Sequence, residues 1–219
     1  SYISLNTMKN QICTILGGSG MIGRNLVRNL TKKNYRCIIS TRNTFQAGFL
    51  KTQATPGAIE LIEWNPSNFA GIKEAINNSD IVINLIGILY ETNKQKFYNI
   101  HSGIPEAVSK ICSEADVKKF IHVSAIGASE NSKSLYQKSK YQGEVKALNN
   151  FKKTVIVRPS VVCGTEDNFT NLFSKLSILP IIPVVKINYK FQPILVSNVV
   201  DAIMKIIEKK DNEGKIYEL

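Results

Sequence analysis

Three glycines set three residues apart, in Gly17-Gly18-Ser19-Gly20-Met21-Ile22-Gly23, stand between an apolar run and a helical pattern. The run, Gln11 to Leu16, is short and continuous, as a strand buried on both faces would be. The pattern after it, Met21 to Lys33, places Ile22, Leu26 and Leu30 on one helical face. A strand that turns directly into a helix through glycines fixes the local topology as the opening half of a βαβ unit. Glycine permits the tight turn, and the helix start offers unpaired N–H groups with a partial positive charge. Such a junction suits the close approach of a pyrophosphate.

The same alternation continues along the chain. Strands are expected at Tyr35 to Thr41, Ala58 to Trp64, Asp80 to Ile86, Lys118 to Ser124 and Thr154 to Arg158, with helices at Ser67 to Asn77, Pro105 to Ala115 and Ser134 to Asn149. Right-handed crossovers then give a doubly wound α/β domain around a parallel sheet. Beyond Gly164 the pattern weakens into proline-rich chain, resuming with a helix at Ser197 to Lys209 and a strand at Lys215 to Leu219. The expected organisation is one nucleotide-binding domain over residues 8–219, in which 164–195 contribute a small, truncated lobe. Met8 is a candidate native start, leaving residues 1–7 as the remnant of a tag or of a processed presequence.

Composition narrows the partners more than it identifies them. The formal charge is +11, but 23 of the 28 cations are Lys, scattered in pairs without interleaved aromatics. This is not the pattern of a nucleic-acid reader; it favours an anionic cofactor or an anionic membrane surface. No apolar run approaches the roughly 20 residues that span a bilayer. Cys13, Cys37, Cys112 and Cys163 form no C-x-x-C pair and have no histidine at ligand spacing, which points to reduced, buried thiols and no metal. The segment Leu176 to Ile187 is apolar around Pro180 and Pro183, so it is expected to run as an irregular loop that either packs under a lobe or docks on a larger assembly.

The second strand ends Ser40-Thr41-Arg42, where an acid would otherwise accept the ribose hydroxyls of NAD. A guanidinium suits a 2′-phosphate instead, and Arg24 offers a second cation, so NADP(H) is preferred and NAD(H) is the alternative. Two Tyr-x-x-x-Lys pairs occur, Tyr90/Lys94 and Tyr136/Lys140. Only Tyr136 opens the helix after the fifth strand, whose end is Ser124. One cation at about 4 Å supplies on the order of 4 kcal/mol at an effective dielectric of 20, enough to bring a phenol toward neutrality. Lys140 is thus expected to activate Tyr136 as an acid or base, with Ser124 holding a carbonyl oxygen. A surface Tyr with an exposed Lys is the bland alternative.

The glycine turn, Asn84-Leu85-Ile86-Gly87, Ser124, Tyr136/Lys140 and Arg158-Pro159-Ser160 together resemble an extended or atypical short-chain dehydrogenase/reductase. The strings Asn84 to Glu91, His122 to Ala128, Gly164 to Phe173, Phe191 to Ile194 and Asn198 to Ala202 are more specific. They resemble the NAD(P)H-binding accessory subunits of respiratory complex I, alpha-subcomplex subunit 9 type, and their bacterial homologues. The resemblance implies cofactor contacts from Gly17, Ser19, Gly20, Met21, Ile22, Gly23, Arg24, Arg42, Asn65, Leu85, Ile86, Gly87, Lys140 and Pro159. It implies a subunit that holds NADPH for assembly and stability rather than for electron transfer, with other complex I subunits as partners. Its place would be the matrix face of the mitochondrial inner membrane, or the cytoplasmic face in a bacterium. An NAD(P)-dependent reductase or epimerase using Ser124, Tyr136 and Lys140 is the second reading, and a redox-sensing regulator that binds NADP(H) the third. Ser124 precedes Tyr136 by only 12 residues, a spacing that speaks against a nucleotide-sugar substrate.

Overall fold

The computed structural model describes residues 11–164 and 192–219. Seven parallel strands form the central sheet: β1 (Ile12–Leu16), β2 (Arg36–Thr41), β3 (Ile59–Glu63), β4 (Ile81–Asn84), β5 (Lys119–Val123), β6 (Thr154–Arg158) and, last in the chain, β9 (Ile216–Glu218). Their order is β3-β2-β1-β4-β5-β6-β9. The chain winds outward from β1 to β3, returns beside β1 as β4, and winds outward the other way, as the alternating apolar runs require. A separate two-stranded parallel pair joins β7 (Val162–Cys163) to β8 (Ile194–Leu195).

Period-two alternation divides each strand between two cores. Ile15, Ile39, Ile83, Ile121 and Val157 face α1 (Met21–Lys32) and α5 (Val196–Glu208), which contribute Leu26, Leu30, Val199 and Ile203. Leu16, Val82 and Phe120 face the other way, against α2 (Ile72–Ile76), α3 (Ile104–Glu114) and α4 (Leu135–Asn150) through Ile76, Val108 and Ala147. Each such aliphatic side chain contributes about 1.5–3 kcal/mol by leaving water. The buried Lys119 ammonium donates to the Ile206 and Lys209 carbonyls and so closes the end of α5, where a cation meets the negative end of the helix. Buried Glu144 of α4 receives both Nε and Nη2 of Arg158 at 2.9 and 2.6 Å, and Arg158 Nη1 donates to Glu218 at 3.1 Å. This bidentate pair fixes α4 on the β6–β9 edge.

The structure departs from the sequence reading in four places. The helix expected at Ser67 to Asn77 is only Ile72–Ile76, because Asn65 Oδ1 accepts the Ser67 N–H and sets a turn. Gly71 then lies at φ +89°, where an added Cβ would come within 2.0 Å of the Glu63 carbonyl. The helix expected from Pro105 begins one residue earlier and follows directly on a π-turn, Tyr98–Gly103, that polar residues concealed. A 3₁₀ segment, Gln46–Gln53, was also not foreseen, nor was the β7–β8 pair. Residues 1–7 and the segment Leu176 to Ile187 lie outside the described residues.

Candidate functional site

β1 and β4 are neighbours whose chains depart toward opposite flanks of the sheet, and the crevice at their carboxyl ends is where such folds bind ligands. A cleft of about 230 Å³ opens there. Gly17, Ser19 and Gly20 form its floor, Thr41, Arg42 and Trp64 one wall, and Leu85, Ile86, Gly87 and Ile88 the other, with Gln95 and Ile100 beside them. A larger groove of about 430 Å³ lies elsewhere, along the outer side of α4 between Tyr98, Tyr141 and Lys146, and includes no residue of the glycine turn. The smaller cleft is the one that holds the glycine turn and Arg42.

The turn is held by the Gly17 N–H donating to the Ser40 carbonyl at 3.1 Å and the Gly20 N–H to the Gly17 carbonyl at 3.3 Å. Gly17 takes φ +80°. A Cβ on Gly23 would lie 2.4 Å from the Gly18 carbonyl oxygen, so the protein's own packing demands glycine there. Gly20 differs: its Cβ would meet only the Gly17 carbonyl, at 3.6 Å. The chain itself leaves room at Gly20, which is the room an approaching phosphate needs. α1 has no acid in its first turn and no side-chain cap, so the positive end of the helix faces the cleft uncompensated. These features fit a dinucleotide pyrophosphate. Among the described residues there is no cluster of three or more metal-ligating side chains.

Seven of the expected contact residues line the cleft: Gly17, Ser19, Gly20, Arg42, Leu85, Ile86 and Gly87. Met21, Ile22 and Gly23 form the first turn of α1, and Arg24 is exposed one residue further on. Asn65 and Pro159 are not in the lining; Asn65 makes its local turn, and the Pro159 carbonyl accepts the Ile126 N–H. Thr41, Trp64, Ile88, Gln95 and Ile100 were missed. Thr41 and Trp64 end or follow strands, a position that marks them out; Gln95 sits in a loop with no periodic signal.

The wall after β4 is pinned from beneath. The Ile86 N–H donates to Asn84 Oδ1 at 3.1 Å, and the Asn84 amide NH₂ donates in turn to His122 Nδ1, also at 3.1 Å. The Ile88 N–H donates to His101 Nε2 at 3.0 Å. His101 Nδ1–H donates to Ser139 Oγ at 2.9 Å, and Ser139 Oγ–H to the Tyr136 carbonyl at 2.7 Å. Burial, with the nearby Lys140 cation second, lowers the pKa of His101 to about 3 and that of His122 well below the ordinary range.

Lys140 is 5 % exposed, and its Nζ lies 3.1 Å from where a Cβ on Gly87 would be. Among the described residues no hydrogen bond or ion pair holds that ammonium, and burial brings its pKa down to about 8 against the opposing pull of Glu144. Tyr136 packs edge-on to His101 and Phe97, at centroid separations of 5.1 and 5.6 Å. Burial pushes its phenol up to about 12. Lys140 Nζ stands 5.8 Å from the ring centroid, and burial acts on the phenol against the activation expected from that cation. Ser124 Oγ is buried and has no hydrogen-bond partner among the described residues. Tyr90 is 60 % exposed in the loop after β4, away from these groups. Of the four cysteines, Cys13, Cys37 and Cys112 are buried free thiols and Cys163 is half-buried and free.

Comparison with known proteins agrees with this architecture. The chain is 31% identical over 215 residues to the mouse (Mus musculus) mitochondrial NADH dehydrogenase [ubiquinone] 1 alpha subcomplex subunit 9, covering 97% of this chain and 57% of that protein. It is 34% identical over 213 residues to the Dictyostelium discoideum protein of the same name, covering 94% of this chain and 58% of the relative. The chain therefore spans under two thirds of the length of these relatives. Among solved structures, UDP-glucuronic acid 4-epimerase from Bacillus cereus in complex with NAD superposes with a TM-score of 0.74 at 16% identity, over 95% of this chain and 78% of that one, a likeness of fold. A family model described as the NAD dependent epimerase/dehydratase family matches residues 13–219. The parallel sheet, the glycine turn at its switch point and this match place the chain in the NAD dependent epimerase/dehydratase family.

Proposed function

We propose that this protein is an accessory subunit of respiratory complex I that holds a nicotinamide dinucleotide, NADP(H) in preference to NAD(H), as part of its structure. The similarity that carries this reading extends over nearly the whole chain and recurs in complex I subunits from animals, a fungus, an amoeba and a plant. The first turn of α1 would bind the pyrophosphate, Arg42 the 2′-phosphate, and Lys140 a hydroxyl of the nicotinamide ribose. Bound there, the cofactor is able to supply or accept hydride. The protein's own groups are poorly set to use it: a phenol pushed up to about 12 is a weak acid near neutrality, and the Lys140 ammonium, with a pKa of about 8 still mostly charged at pH 7, stands 5.8 Å from that ring's centroid. Retention of cofactor without turnover is the behaviour this geometry supports. Among the described residues no helix is long and apolar enough to cross a membrane, and the net charge of +11 suits peripheral contact with an anionic surface on the matrix face, or the cytoplasmic face in a bacterium.

The second reading, a reductase or epimerase, draws support from Tyr136 and Lys140 lying one turn apart on α4. Turnover separates the two. We expect the purified protein to retain NADP(H) yet to reduce common carbonyl compounds and epimerise nucleotide sugars no faster than its Tyr136→Phe variant. Ordinary enzymatic rates that vanish in Tyr136→Phe would establish the enzyme reading.

A further inference from the structure

The protein has two histidines in 219 residues, and both support the same stretch of backbone. Gly87 lies in the cleft wall between the Ile86 and Ile88 amides. Asn84 holds the first, and it is oriented by His122; His101 holds the second directly. The two clamps differ in where they lead. His122 and Asn84 both belong to the sheet, whereas His101 sits on the π-turn before α3 and reaches α4 through Ser139, the residue next to Lys140. An added Cβ on Gly87 would lie 3.1 Å from Lys140 Nζ and 3.7 Å from His101 Nε2, so the ammonium, the imidazole and the wall meet at one point.

The hydrogen bonds fix the state of the His101 ring. Nε2 accepts from the Ile88 N–H and carries no proton, so the neutral ring bears its proton on Nδ1 and donates it to Ser139 Oγ. Stacking on Phe97, at 5.3 Å between centroids, and the edge of Tyr136 hold the ring plane. Imidazole is the side chain that offers an acceptor and a donor on opposite edges of one rigid ring, as this bridge requires.

We propose that His101 is a positioning residue for the cofactor: it fastens the Gly87–Ile88 wall to the helix carrying Lys140, setting the distance across which the nicotinamide half is gripped. The proposal rests on the nicotinamide-dinucleotide reading of the cleft. The adenosine half is served by other groups, Arg42 and the glycine turn, which His101 does not touch.

The test compares NADPH with 2′,5′-ADP, a fragment that keeps the adenosine half and lacks the nicotinamide. Binding of each is followed through the protein's single tryptophan, Trp64, which lines the cleft. His101→Phe keeps a ring against Phe97 and removes both hydrogen bonds. We expect it to weaken NADPH about tenfold, as the loss of one organised hydrogen bond would, while leaving 2′,5′-ADP within about twofold. His101→Gln, whose amide presents an acceptor and a donor, should recover most of the NADPH affinity. Ser139→Ala removes the partner that keeps the proton on Nδ1 and should also weaken NADPH selectively, which decides the matter should His101→Phe fail to fold. Accelerated amide exchange at Ile88 in the weakened variants would place the change at the wall. Equal NADPH affinity in wild type and Ser139→Ala, equal losses for both ligands, or no difference between Phe and Gln at position 101 would overturn the role. Failure of wild type to bind either ligand would instead overturn the cofactor reading itself.

Discussion

Lowering the pH from 7.5 to 5 should strip at least about 2 kcal/mol from the folding stability of this protein through its buried histidines. Both are neutral and buried: His101 Nε2 accepts the Ile88 N–H, and His122 Nδ1 accepts from Asn84 while its Nε2 meets no hydrogen-bond partner among the described residues. The folded pKa of His101 is lowered to about 3 and that of His122 falls well below its usual range. The unfolded chain, with an ordinary pKa of about 6.5, takes up protons that the native state refuses. A group depressed in this way contributes stability above the unfolded pKa and loses it as the pH falls. At pH 5, about 1.5 units below the unfolded pKa, His101 alone costs about 2 kcal/mol of the roughly 5–15 kcal/mol that holds a domain, and His122, lowered in the same direction, adds to the loss. Carboxylates remain largely ionised over this window. Urea unfolding at pH 7.5 and 5 measures the loss, and His101→Gln should reduce it by about 2 kcal/mol. With only two histidines, proton NMR of the imidazoles checks the premise in the native protein. Resonances titrating near 6.5, or a stability change under about 1 kcal/mol, would refute the reasoning.

Arg42→Asp should abolish or reverse the preference for NADP(H), because one charge-assisted hydrogen bond is worth about 1.5–3 kcal/mol, and parallel titration with both cofactors reads it. Gly20→Val should empty the cleft while leaving the fold near wild-type stability, since a Cβ at that position meets only the Gly17 carbonyl at 3.6 Å; Trp64 fluorescence and thermal unfolding separate the two effects. Lys140, with its folded pKa near 8 against about 10.5 unfolded, should make the apo protein more stable as pH rises from 8 to 10.5, by up to about 3 kcal/mol, and Lys140→Met should flatten that rise in urea titrations. Glu144→Gln leaves the guanidinium of Arg158 short of its bidentate acceptor in a buried place and should cost about 3 kcal/mol in denaturant unfolding.

The strands were legible because a parallel sheet buries both faces and so writes unbroken apolar runs; Thr154–Arg158 falls on the expected residues. The glycine turn was legible for a related reason, its meaning being fixed by what precedes and follows it. Where local hydrogen bonding competes with periodicity, the reading fails. Asn65 diverts the chain into a turn before Ile72, and the π-turn at Tyr98–Gly103 has neither an apolar stripe nor a cap to announce it. His101 stayed hidden for that reason, since a histidine in an unrecognised turn has no visible partner. The pair Tyr136/Lys140 was legible by spacing, but the burial that raises the phenol's pKa was not. Spacing gives proximity, but the balance between burial and charge depends on a distance of 5.8 Å and on the rings of His101 and Phe97, which only the fold supplies.

The central claim, that this protein is a cofactor-holding subunit of a larger respiratory assembly, is tested most directly by native mass spectrometry of the endogenous protein after gentle extraction from its own membranes. The account expects one molecule of NADP(H) per chain, carried in a particle that contains other complex I subunits. A free protein, or one that emerges without a nicotinamide dinucleotide, would contradict it.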